Sequence, residues 1–122
     1  MRYLVTGATG LIGRELVLQM LSAGHSVTVV TRNRRKASNL LGGEVEVVEW
    51  SDLEGLRSSL DGCHGVVHLA GEPIADRRWS KNQKKRLWDS RVETTKTLVS
   101  EMQRCAFPPV AMVSASAVGF LW

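Results

Sequence analysis

The sequence is short of the residues that would define several function classes. Its two cysteines, Cys63 and Cys105, lie far apart and outside any CxxC or Cys/His cluster. That spacing excludes a disulfide scaffold and a thiolate metal centre, leaving two reduced, small apolar side chains. The histidines, His25, His64 and His68, fall at unrelated positions and suggest no metal site. Apolar runs such as Val27 to Val30 and Val110 to Val113 are far shorter than the roughly twenty residues of a membrane-spanning helix. No membrane association is expected. Nor does a charged leader precede an apolar segment at the amino terminus, so no secretory signal is expected and a cytoplasmic location is. The single tyrosine, Tyr3, sits in a strand pattern at the amino terminus, where burial is expected. It cannot serve as a phenolic acid or base.

What is present suits one compact domain: 122 residues, 43% hydrophobic and 23% charged. Sixteen Lys and Arg against twelve Asp and Glu give a formal charge of +4. A nucleic acid, an anionic surface or a phosphate-bearing small molecule would each match that sign, and position along the chain decides among them.

Strand-like and helix-like patterns alternate. A β-branched and aromatic run covers Arg2 to Thr6, and Ile12, Leu16, Val17, Met20 and Leu21 then recur at helical spacing from Leu11 to Ala23, closed by Gly24. Val27 to Thr31 reads as a buried strand, followed by a basic, Asn- and Gly-containing segment and a third strand at Val45 to Trp50. Ser51 and Glu54 form a capping box for a short helix to Leu60, and Gly65 to Ala70 reads as a fourth strand. A second box, Ser80 and Gln83, opens a long helix marked by Leu87, Trp88, Val92, Thr95, Leu98, Val99 and Met102. Phe107-Pro108-Pro109 stops it, and Val110 to Ser114 reads as a fifth strand. No internal repeat or low-complexity tract occurs. Strands separated by helices imply right-handed crossovers and a parallel α/β sheet covered on both faces.

The chemistry gathers at the first crossover, Gly7-Ala8-Thr9-Gly10-Leu11-Ile12-Gly13, which follows a strand and opens a helix. In that context Gly7 permits a tight turn, Gly10 lets a pyrophosphate approach the backbone, and Gly13 lets helix pack on strand. Free amides and the positive end of the helix dipole would hold the phosphates.

The spacing GxxGxxG resembles the short-chain dehydrogenase/reductase superfamily, in its extended, sugar-nucleotide-epimerase-like branch, whose first turn reads TGATGxIG as Thr6 to Gly13 does. His68-Leu69-Ala70-Gly71 resembles the strand-four motif beside the nicotinamide ribose. Arg91-Val92-Glu93-Thr94-Thr95 resembles the NVxGT segment, with Arg91 where Asn is usual, and Ser114-Ala115-Ser116 resembles the serine cluster of strand five. "LAGEPIADRRWS", "SRVETT" and "SASAVGF" are similar to an atypical, cell-division-inhibitor-like subgroup of epimerase-like proteins. The resemblance implies a Rossmann-type doubly wound parallel sheet of about five strands in the order 3-2-1-4-5, with residues 1–122 as the dinucleotide-binding domain.

Proteins of that subgroup run to more than twice this length. The resemblance therefore implies an amino-terminal portion, truncated after strand five, without the YxxxK pair and the substrate subdomain. Where the subgroup continues with Tyr-Gly, this chain reads Phe120-Leu121-Trp122, at a boundary of the expressed segment, a premature stop or a frameshift. Among catalytic residues only Ser116 matches. The alternative for Ser114 and Ser116 is satisfaction of strand-end backbone groups. A proton relay for hydride transfer is incomplete on this chain alone, so weak or no activity is expected of it.

The implied cofactor is a nicotinamide dinucleotide, held by Gly7, Thr9, Gly10, Leu11, Ile12, Gly13, Arg32, Asp52, Leu69, Ala70, Gly71 and Ser114. Selection of NAD uses an acid at the end of strand two. This chain has Thr31-Arg32-Asn33-Arg34-Arg35-Lys36 there, with no carboxylate in the run, so NADP(H) is preferred through a charge-assisted contact from Arg32 to a 2′-phosphate. A solvated basic loop is the alternative for Arg34, Arg35 and Lys36. Asp52 either contacts adenine or simply favours a helix dipole.

A second basic cluster, Arg77, Arg78, Lys81, Lys84, Lys85 and Arg86, has Trp79 within it and Trp88 just after it. Helical spacing turns tryptophans inward more readily than outward, so nucleic acid is not the expected partner. An uncapped fifth strand with Val118, Phe120, Leu121 and Trp122 beyond it predicts a homo-oligomer. Two functions remain: the cofactor half of an epimerase- or reductase-like enzyme acting on a carbonyl or sugar-nucleotide substrate, and a non-catalytic NADPH sensor or interaction module.

Overall fold

The computed structural model describes residues 1–8, 10–69 and 81–115, and of residues 11, 81–91 and 115 the backbone alone. Nine elements alternate along these residues: β1 (Arg2–Thr6), α1 (Leu11–Ser22), β2 (Ser26–Thr31), α2 (Arg34–Leu41), β3 (Glu46–Glu49), α3 (Leu53–Leu60), β4 (Gly65–Leu69), α4 (Lys81–Gln103) and β5 (Ala111–Ala115). The strands form one parallel sheet in the order β3-β2-β1-β4-β5. The fold class and strand order anticipated from the sequence are those observed.

Strand alternation sorts the apolar side chains into two layers. Leu4, Val30, Val48 and Val66 join Leu56 and Leu60 of α3 and Leu98 of α4 on one face. Val5, Val27 and Val29 join Val17 of α1 and Leu41 of α2 on the other. Both faces of the central strand are therefore covered, and Leu4 and Val5 are each 0% exposed. Truncating Leu98, also 0% exposed, to Ala would cost about 3 kcal/mol, because the α4 contact would leave a cavity.

Several boundaries differ from expectation for identifiable reasons. The basic segment after β2 is not a loop: Asn33 accepts a hydrogen bond from the Lys36 amide at 3.1 Å and caps α2. The apolar stripe of α2 is only Ala37 and Leu41, too short to show as a period. Ser51 does not cap α3. Asp52 does, its Oδ1 accepting from the Gly55 amide at 3.0 Å. Tyr3 is half-buried rather than buried, with its ring edge-on to His25 and its hydroxyl 3.2 Å from Met1 Sδ. Cys63 and Cys105 are free, the first buried and the second half-buried. Burial pushes both thiols above their ordinary pKa; the nearby carboxylates of Asp61 and Glu101 add to the effect at Cys105.

No helix among the described residues is long and apolar enough to cross a membrane. Ser80 of the second capping box, and the side chains of the second basic cluster with Trp79 and Trp88, lie outside the described residues, as do Val118, Phe120, Leu121 and Trp122. β3 and β5 are the two edges of the sheet among the described strands, and Val113 of β5 is 60% exposed.

Candidate functional site

Parallel pairing places the carboxyl ends of all five strands at one rim. The register aligns Val48, Val30, Thr6, His68 and Ser114 in one row across the sheet. β1 lies between β2 and β4, the point where the chain's winding reverses. A crevice outside the carboxyl ends at such a point is where open α/β sheets bind ligands.

At the end of β1 the backbone turns at Gly7 with φ of +69°, a region costly for residues with a Cβ. A Cβ there would also lie 2.8 Å from the Leu69 carbonyl oxygen, so Gly7 is fixed by both conformation and the closeness of β4. The Gly10 amide donates to the Gly7 carbonyl at 3.2 Å, and Gly10 then caps α1 without contributing a side chain. No acidic residue stands in the first turn of α1. The start of this twelve-residue helix thus offers backbone amides and the positive end of its dipole to an anion, with no side-chain acceptor of its own competing.

Gly13 closes the elbow from behind. A Cβ on it would overlap the Gly7 carbonyl oxygen and the Ala8 Cα, so helix and turn are in contact that only glycine allows. A Cβ on Gly10, by contrast, would meet only the Gly7 oxygen among the described residues, at 3.5 Å. That contact is ordinary, so Gly10 is not required by packing as Gly13 is. Ile12 is 57% exposed beside it.

One strand away, Arg32, Asn33, Arg34, Arg35, Ser38, Asn39 and Glu49 line a shallow open depression. The Thr31 hydroxyl accepts from the Asn33 amide at 3.1 Å, which sets the turn from β2 into α2 and puts the arginines at that helix's positive end. Glu49, from the neighbouring β3, pairs with Arg34 at 3.6 Å. A carboxylate is therefore present after all, brought in by the sheet rather than by the run that follows β2. The concentration of guanidinium groups still favours an anionic group in the depression.

At the ends of β1 and β4 lies a polar cluster whose members the sequence places in three separate motifs without joining them. His68 is 3% exposed, with Nδ1 2.6 Å from Thr6 Oγ1 and Nε2 3.0 Å from Thr95 Oγ1 on α4. Thr94 Oγ1 lies 3.4 Å from the same Nε2. Thr6 Oγ1 also accepts from the Leu69 amide at 3.0 Å. These partners are separated by 62 and 27 residues, so no local pattern announces them.

The structure brings Gly7, Gly10, Leu11, Ile12 and Gly13 together at the elbow, with Leu69 against Gly7, and sets Arg32 at the neighbouring strand end. Ser114 pairs with His68 at the rim and is exposed. Asp52 follows β3, its carboxylate turned to the first amides of α3. Thr9, Ala70, Gly71 and Ser116 lie outside the described residues.

The sequence matches the model of the NAD dependent epimerase/dehydratase family over residues 3–119. A chloroplastic epimerase family protein SDR39U1 homolog from Arabidopsis thaliana is 35% identical over 95% of this chain and 34% of its own length. The crystal structure of human epimerase family protein SDR39U1 (isoform2) with NADPH superposes with a TM-score of 0.74 at 34% identity, covering 100% of this chain and 38% of that one. MoeE5 in complex with UDP-glucose and NAD gives a TM-score of 0.70 at 29% identity, over 95% of this chain and 36% of its own. The chain thus spans well under half the length of the relatives it matches. With the parallel sheet, the glycine elbow and a match over nearly its whole length, the chain belongs to the NAD dependent epimerase/dehydratase family.

Proposed function

We propose that residues 1–122 are the dinucleotide-binding domain of an epimerase- or reductase-like protein and bind NADP(H) in preference to NAD(H). The diphosphate rests on the amides from Gly7 to Gly13, including those of Thr9, Leu11 and Ile12. The adenosine 2′-phosphate meets Arg32, Asp52 borders the adenine, and Leu69, Ala70, Gly71 and Ser114 flank the nicotinamide ribose. The carrying observation is the elbow itself: Gly13 has no room for a Cβ against Gly7, while a Cβ on Gly10 would meet, among the described residues, only the Gly7 oxygen at ordinary distance. Human SDR39U1 with NADPH and MoeE5 with UDP-glucose and NAD support a dinucleotide as the ligand class, and the arginines around Arg32 support the 2′-phosphate.

In the whole protein the substrate would be a carbonyl compound or a sugar nucleotide, with Ser116 bonding its oxygen and the remaining catalytic groups supplied by further chain. A homo-oligomer through the β5 edge, and a cytoplasmic location, complete the proposal. Thermal-shift scans of the 122-residue chain with NADPH, NADP, NADH and NAD test it. Ligand at a hundredfold excess over Kd would add about 2.7 kcal/mol of stability, enough to raise the melting temperature by several degrees. The phosphorylated pair should produce the larger shift at equal concentration. No shift with any of the four would overturn dinucleotide binding, and equal shifts would overturn the preference.

A further inference from the structure

We infer that His68 is a positioning residue for the dinucleotide site, a buried imidazole that ties helix α4 to the glycine elbow through Thr6. The inference rests on the reading above, in which the elbow receives a diphosphate. A ring of this polarity at 3% exposure is costly unless both nitrogens find partners, and both do: Thr6 Oγ1 at 2.6 Å and Thr95 Oγ1 at 3.0 Å. Packing alone would be served as well by an apolar ring. The polar ring instead links three elements whose sequence positions are remote.

The bonds have a direction that ends at the turn. Thr6 Oγ1 accepts from the Leu69 amide at 3.0 Å and lies 3.3 Å from the Leu69 carbonyl oxygen, the atom that would stand 2.8 Å from a Cβ on Gly7. In one tautomer Nδ1–H donates to Thr6, whose hydroxyl donates to the Leu69 carbonyl, while Thr95 donates to Nε2. In the other, Thr6 donates to Nδ1 and Nε2–H donates to Thr95. Either arrangement locks the Thr6 hydroxyl, and with it the spacing of the β1 and β4 ends on which Gly7 rests. Sites that bind through fixed backbone dipoles depend on such supporting bonds to hold their donors within a fraction of an ångström.

The test compares wild type with His68→Phe, which keeps a ring but no nitrogens, and with Thr95→Val, which keeps the shape of the helix residue but not its hydroxyl. Affinities for NADPH and for adenosine 2′-monophosphate, which lacks the diphosphate, are measured by titration, with amide exchange at Gly10 and Leu69 followed in ligand-free protein. His68→Phe should weaken NADPH binding about ten-fold while leaving adenosine 2′-monophosphate within two-fold, and Thr95→Val should move NADPH in the same direction by less. Faster exchange at Gly10 and Leu69 in His68→Phe without ligand is the accompanying result. Equal weakening of both ligands, NADPH binding within two-fold of wild type, or a His68→Phe chain that does not fold alongside a Thr95→Val chain that binds like wild type would overturn the role. Failure of wild type to bind NADPH would instead sink the functional reading, while unchanged amide exchange would sink the link itself.

Discussion

At the Gly7–Gly13 elbow the surface is backbone, with Gly7 and Gly13 in contacts that leave no room for a methyl group, whereas one strand away the Arg32–Glu49 depression is made of side chains. In the latter, the paired Arg34 and Glu49 are 57% and 38% exposed. The difference separates two tasks. A rigid turn of amides suits a group shared by every dinucleotide, and exposed charges suit the single group that distinguishes one dinucleotide from another. Changes at the packed glycines of the first, Gly7 and Gly13, should cost fold and affinity together, and changes at the second should cost selectivity alone.

The largest effect that would test this contrast is Gly13→Ala. Its methyl meets backbone rather than a yielding side chain, so a stability loss of about 3 kcal/mol and no measurable NADPH binding are expected from denaturant melts and titration. Gly10→Ala sharpens the point: with ordinary clearance from the Gly7 oxygen, it should keep its melting temperature within a few degrees yet bind NADPH about ten-fold more weakly. If Gly10→Ala lost fold and affinity in proportion, the elbow would be a packing device and not a binding surface.

Arg32→Ala comes next. Loss of a charge-assisted bond at an exposed place should weaken NADPH by about ten-fold and leave NADH unchanged in competition titrations. The proposed preference of wild type for NADPH should itself shrink as salt rises. Glu49→Gln should act in the opposite direction, tightening NADPH by a few-fold, because it removes a like charge from beside the 2′-phosphate and releases Arg34. A smaller effect is expected at Asp52→Ala: about 1 kcal/mol of stability from the lost α3 cap, read in thermal melts. Cofactor affinity is the arbiter there, since a change beyond two-fold would mean that the carboxylate also serves the adenine. Smallest of all is the thiol chemistry. With both pKa values raised, alkylation by iodoacetamide at neutral pH should run slower than for a free thiol and accelerate as pH rises, with half-buried Cys105 reacting before buried Cys63.

The same contrast explains what the sequence disclosed. The elbow was legible because its constraints are local: seven consecutive residues contain the turn, the approach and the helix start. The strand order followed from the resemblance and the alternation of elements. Helix α2 was missed because two buried residues make no stripe, although Asn33 before Arg34 was an available cap signal. Glu49 could not be placed beside Arg34 without knowing that β3 pairs with β2, nor His68 beside Thr95 without knowing where α4 crosses the sheet. Such partners are set by tertiary register, which a reading of short windows does not contain.

Five strands that all point the same way deliver their last residues to a common shelf, and the ladder runs right out to it, pairing Thr31 with Glu49 and Leu69 with Ala115. The backbone at that shelf is held by its neighbours, whereas the loops that leave it carry side chains that can be exchanged at less cost to the sheet. A lineage built on this plan can alter what it recognises one loop at a time, with the sheet and the glycine elbow left in place.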